Sequence, residues 1–200
     1  MTLLGLCLLG LSGGKGQVSD TLDEALRRFD MRRQLMSGAQ MGVLAGWAVG
    51  NIIPSAVGWA VNDGADRYFH AGNVLWNAVN LSIALPGLLT RPKNLTNPDY
   101  LKVIRLQNRT ERIYLINAGL DFLYTGAGLW LMKNAQTAQW RPDFQMGLGR
   151  SLVLQGLFLL GFDFTNFLIH HIHERKRLRP LESRLRCTFS ASGLSGRFSF

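Results

Sequence analysis

Cysteine is nearly absent from this 200-residue chain, and its two copies, Cys7 and Cys187, stand near opposite ends. That spacing excludes a thiolate metal site or a redox pair, and no disulfide is expected. Acidic residues are also scarce, 13 against 22 Lys and Arg, giving a net charge of +9. The basic residues carry no zinc-finger, RNP or helix-turn-helix pattern, so nucleic acid is not the expected partner. Most telling is where charge is missing altogether. Residues 41–61 and 69–89 hold no Asp, Glu, Lys or Arg, residues 113–132 hold only Asp121, and residues 151–172 only Asp163. Each run is about long enough to cross a hydrocarbon core of ~30 Å as a helix.

What these runs contain is a polar stripe. In RYFHAGNVLWNAVN, His70, Asn73, Asn77 and Asn80 recur at helical spacing, which puts them on one face. Asn117, Asp121 and Thr125 do the same in the third run, as do Asp163, Asn166 and His170 in the fourth. An amide turned toward lipid loses its hydrogen bonds at several kcal/mol, so such stripes must face one another or water. The expected fold is all-α: a four-helix transmembrane bundle built from two hairpins, the first closed by the short connector NDGADRY.

The rest of the chain is read around these spans. Residues 1–17 form a signal-like apolar segment. Residues 18–38, with Leu22, Ala25, Leu26 and Phe29 on one side and RRFDMRR at the end, predict a separate amphipathic helix lying at the membrane interface. The membrane domain is expected over residues 39–173. LKVIRLQNRTER predicts a short surface helix before the third span, and residues 174–200 a basic, disordered tail. In the first span, Gly42, Gly46 and Gly50 repeat a small-xxx-small pattern that lets backbones approach.

Charge sets the orientation. Four Lys or Arg lie in residues 18–40, six in 90–112 and seven after 172, against four in the connectors on the other side. The positive-inside rule then places both ends of the mature chain in the cytoplasm of a bacterial inner membrane, whereas a cleaved signal would put Val18 outside.

Counted from the span ends, Asn51, Asn80, Asp121 and Asp163 lie within a turn or two of the bilayer centre, with Asn77 and Asn166 beside them. No Lys or Arg lies deep in any span to pair with the two carboxyls. Such a cluster suits binding or passage of a small solute, proton or cation. It also suits an Asp-Asn clamp that fixes helix register in a structural or accessory subunit, docked through the first-span glycines to a partner or a second copy. Paired intramembrane aspartates resemble those of presenilin-like proteases, but GLDF and GFDF stand here where that family has GxGD, and no nucleophile-base pair is present. No cofactor is expected. His70 and His170 fall at opposite ends of their spans, too far apart for one haem, and no metal set accompanies His170, His171 and His173 beyond Glu174.

The segments GWAVGN, RYFHAGNVLWNAVN, INAGLDFLYTGAGLWL and GRSLVLQGLFLLGFDFTNF resemble an uncharacterised family of small bacterial four-span membrane proteins, a domain-of-unknown-function family, over Arg32 to His171. The resemblance implies a membrane location, a signal ending near Gln17 and an Asn-rich second span, with no activity attached. The tail after Arg175 departs from it.

Overall fold

A computed structural model describes residues 6–96 and 99–181, with side chains from residue 21 onward. Its four helices are α1 (Leu6–Val61), α2 (Gly64–Leu89), α3 (Tyr100–Ala135) and α4 (Pro142–Arg177), and no strand occurs among the described residues. The fold is all-α. Two helical segments, Thr21–Val61 and Pro142–Leu181, are long and apolar enough to cross a membrane.

Helices run further than the sequence suggested. Residues 18–38 and 41–61 form a single α1, because the only helix breaker between them is Gly38, whose cost of about 1 kcal/mol is outweighed by good formers on both sides. The expected interfacial helix is therefore not a separate element. The expected surface helix before residue 113 likewise merges into α3. Residues 174–177 complete α4, and a further turn follows, with Leu178 N–H donating to the Glu174 carbonyl at 2.8 Å. The expected tail thus begins later than residue 174; its remainder, residues 182–200, lies outside the described residues, as do the side chains of the signal-like segment.

Local chemistry closes the connections. Between α1 and α2, Gly64 takes φ +57°, a left-handed conformation that glycine adopts without strain, and Asn62 Nδ2 donates to the Gly58 carbonyl at 2.8 Å. Pro142 opens α4 at the position where a missing N–H costs nothing. Asp99 starts α3, its carboxylate accepting from Leu101 N–H at 3.1 Å.

The chain divides into two compact units, each with its own interior. The first comprises residues 1–34, 92–109 and 170–200. Leu26, Phe29, Val103 and Leu178 form its apolar core, with Leu22, Leu95 and Ile104 packed against them. The apolar face read as membrane-interfacial is here covered by protein. Arg27 donates to the carbonyls of Leu95 and Thr96, and Gln34 exchanges two 2.9 Å bonds with the backbone of Lys93, tying the 92–96 connector down. Buried Asp30 is held by Arg33 at 2.7 Å and Gln34 at 2.7 Å. His173 stacks on Phe29 with ring centroids 4.4 Å apart. Burial holds its imidazole below the ordinary range, opposed by its bond to the Phe29 carbonyl and reinforced by Arg32 and Arg177.

The second unit, residues 35–91 and 110–169, is turned inside out. Its buried positions include Gln40, Asn73, Asn77, Asn80, Asp121, Ser151, Gln155, Asp163 and Asn166, while its surface carries Ile53 at 63% exposure, Leu75 at 69%, Leu123 at 63% and Leu157 at 57%. All four helices contribute exposed large apolar side chains. A smaller apolar cluster of Leu44, Ala84 and Leu159 accompanies the polar interior, and Trp47 stacks on Phe158 at 3.8 Å.

Backbones approach closely where α3 meets α4. A Cβ on Gly149 would lie 2.7 Å from the Gly128 carbonyl oxygen, and one on Gly128 at the same distance from that of Gly149. At Gly46 and Gly50 a Cβ would meet nothing within 4 Å. Gly149→Leu is therefore expected to destabilise the protein by about 1–3 kcal/mol or more through overpacking, and Gly46→Leu to leave its stability nearly unchanged. Thermal unfolding followed by circular dichroism distinguishes the two; equal losses would show that the α3/α4 contact is not close-packed.

Candidate functional site

The helix period in the second unit produces three buried stripes. On α2 the buried residues are Asn73, Asn77, Asn80 and Ala84. On α3 they include Tyr114, Ala118 and Asp121, and on α4 Ser151, Gln155, Leu159, Asp163 and Asn166. These intervals of three, four and seven keep each set on one face.

Two polar clusters result. The first is centred on Asn73, whose Oδ1 accepts from Ser151 Oγ at 3.1 Å and from Gln155 Nε2 at 3.0 Å. Gln155 Oε1 in turn accepts from the Trp47 indole N–H at 3.0 Å, so one chain of hydrogen bonds joins α1, α4 and α2. Asn77 donates to the Asn73 backbone carbonyl at 2.9 Å, and Asn80 to Asn77 Oδ1 at 3.4 Å. Gly72 makes room for Ser151, since a Cβ there would lie 2.8 Å from the hydroxyl oxygen.

The second cluster joins α3 and α4. The buried side chains of Asp121 and Asp163 are neighbours, and Asn117 lies beside Asp163. Buried Asp121 Oδ2 meets no N–H or hydroxyl of the protein, and neither does Asn166 Nδ2 meet an acceptor. Thr125 Oγ1 donates to the Asp121 backbone carbonyl at 2.8 Å. Tyr114 donates its hydroxyl to Gln40 Oε1 at 2.7 Å.

The structure thus brings Asp121 and Asp163 together, with Asn117 beside them and Asn166 one turn along α4. It groups Asn77 and Asn80 with Asn73. Asn51 is half-buried and bonds its own helix, donating to the Trp47 carbonyl at 2.9 Å. His70 is half-buried, packed over Gly58, and its Nδ1 has no partner. His170 belongs to the first unit, fully buried, its backbone carbonyl accepting from Gln107 at 2.9 Å. Sequence reasoning missed Ser151, Gln155, Gln40, Tyr114 and Trp47. For Ser151 and Gln155 the signal was available: they continue the Asp163 face upstream at helical spacing.

Asn73 is the hub of the first cluster, and its replacement orphans Ser151 and the Gln155 amide together. Asn73→Leu is expected to cost about 1–3 kcal/mol for each buried group left without a partner, whereas Asn51→Leu removes one bond within a helix and costs less than ~1 kcal/mol. Denaturation midpoints of the two variants measure the difference; equal effects would remove Asn73 from the centre of the network.

No curated protein and no solved structure matches the chain. One family model, described as a family of unknown function, matches residues 43–164, which takes in Asn51, the α2 stripe, Asp121 and Asp163 and stops short of Asn166 and His170. With more than half of its length covered, the chain belongs to DUF6992, a family of unknown function.

Proposed function

We propose that this chain is a four-span integral protein of a bacterial inner membrane, and that the Asp121–Asp163 cluster binds or passes a small solute, proton or cation. The observation that carries the reading is the reversed second unit, with amides and carboxyls buried and Ile53, Leu75, Leu123 and Leu157 outward on four different helices. In water those exposed apolar side chains are unfavourable, whereas in lipid they are matched. By length and composition α1 and α4 hold segments apolar enough to span, while Asn73, Asn77, Asn80 and Asp121 count against α2 and α3. Those residues are buried, so their polarity is not offered to lipid. Charge supports cytoplasmic ends, since the segments that flank the spans on that side hold most of the Lys and Arg.

A carboxyl that exchanges an ion or proton at mid-depth is functional by default in such a setting. A second reading, an accessory subunit docked through α1, draws on the open space over Gly46 and Gly50, which no side chain or backbone among the described residues fills.

Reconstitution separates the two. Proteoliposomes containing the full chain are expected to pass protons or monovalent cations under an imposed gradient, and Asp121→Asn and Asp163→Asn to lower that flux by about tenfold or more, because an amide keeps the hydrogen bonds and loses the titration. Flux unchanged in both variants rejects the site. Normal flux-free vesicles combined with loss of a co-purifying membrane partner in Gly46→Leu would favour the accessory role.

A further inference from the structure

The exposed aromatic rings of the second unit are not spread evenly over its surface. Every Trp and Tyr of the chain lies among the residues whose side chains are described, and the exposed ones are Trp59, Tyr68, Trp130 and Trp140. The other two indoles are engaged inside the unit: Trp47 donates to Gln155, and Trp76 packs edge-on against Tyr124 with centroids 4.9 Å apart. The four exposed residues come from the last turns of α1 and α3, the second turn of α2 and the connector that leads into α4.

Contacts within the unit put these four places at one end. The Tyr68 and Phe144 rings meet edge to face at 5.4 Å, and a Cβ on Gly147 would lie 2.7 Å from that of Tyr68. His70 packs over Gly58, the residue before Trp59. Gly149 lies against Met132, two residues past Trp130, and Gln145 donates to the Trp140 carbonyl at 2.9 Å. Arg150 pairs with Asp66 at 2.6 Å and stands 5.0 Å over the Phe69 ring, joining α4 to α2 at the same end.

Building on the membrane reading, we infer that this end is a collar that seats in the interfacial layer of a bilayer, the headgroups and glycerol, through Trp59, Tyr68, Trp130 and Trp140. In hydrocarbon an exposed indole leaves its N–H without a partner, and in bulk water it wets an apolar ring; the layer between offers an apolar side and hydrogen-bond acceptors together. Trp130 at 64% exposure and Trp140 at 66% turn most of their rings outward, so the interior does not account for them. Charge does not account for the collar either. The segments around it hold Arg67, Lys133, Arg141 and Arg150 against Asp63, Asp66 and Asp143, which is close to balance, so the partner is the layer itself and not an anionic headgroup.

The collar sets a depth scale. Asn73 stands five residues along α2 from Tyr68, about 7 Å deeper, whereas Asp121 stands nine residues along α3 from Trp130, about 14 Å deeper and close to the middle of a hydrocarbon core of ~30 Å. The two polar clusters thus occupy different levels.

Fluorine NMR of the full chain carrying 5-fluorotryptophan, in phosphatidylcholine nanodiscs, tests this. One set of discs contains a lipid with a nitroxide on its headgroup, another a lipid with the nitroxide at the end of its acyl chain. The three exposed indoles are assigned by Trp59→Phe, Trp130→Phe and Trp140→Phe, and the comparison needs no variant of a buried Trp. Their signals are expected to broaden about twofold or more strongly with the headgroup label than with the chain-end label. The two remaining signals, Trp47 and Trp76, stand twelve and eight residues deeper than Trp59 and Tyr68 and are expected to show the reverse order.

Stronger broadening of Trp59, Trp130 and Trp140 by the chain-end label would overturn the collar and leave the membrane reading standing. Broadening of these three only by a water-soluble gadolinium chelate, with Trp47 and Trp76 still answering to the lipid labels, would do the same and place this end in water. If none of the five signals responded to either lipid label, the membrane reading itself would fail and the collar with it.

Discussion

A buried amide or carboxyl must find a hydrogen-bond partner, and the second unit of this protein is arranged around that demand. Eleven polar side chains are withdrawn to its interior, where Asn73 answers Ser151 and Gln155, and Gln155 answers Trp47. Each answer comes from a different helix, so satisfying one group fixes the register of two. The glycines at Gly72, Gly128 and Gly149 are consequences of the same demand, since only a bare Cα lets the helices come near enough for short polar side chains to touch.

The first unit adds an apolar core to its buried Asp30, Gln107, His170, His173 and Glu174. Leu26, Phe29, Val103 and Leu178 close an apolar core, and the charged side chains Arg28, Arg32, Lys102 and Arg105 remain outside. α1, α3 and α4 thus change character along their length while remaining unbroken helices. The hydrophobic effect builds one unit; hydrogen-bond satisfaction and close packing build the other.

Much of this was legible in the sequence, for a physical reason. A polar residue repeated every three or four positions in an uncharged run has few places to go, so the Asn73, Asn77 and Asn80 stripe follows from spacing alone. The all-α class follows similarly. Helix boundaries were harder to read, because a change from apolar to basic composition resembles the end of an element, yet only backbone chemistry ends a helix; no proline stands at residues 38–41 or 110–113, and α1 and α3 continue through both. Ser151 and Gln155 were passed over as single polar residues among leucines, although they extend the face of Asp163. The pairing of Tyr114 with Gln40 spans 74 residues, and no local pattern encodes a contact of that range. Asn51 was grouped with the aspartates by depth, but depth does not specify direction, and its amide turns back along α1.

The central claim is that the second unit's outward face meets lipid and its inward face does not. Nitroxide spin labels placed one at a time at Ile53, Leu75, Leu123 and Leu157 in the full chain in bilayers measure this through relaxation by oxygen, which concentrates in lipid, and by a water-soluble nickel chelate. The account predicts high oxygen and low chelate accessibility at all four positions. Strong relaxation by the chelate at these sites would contradict it.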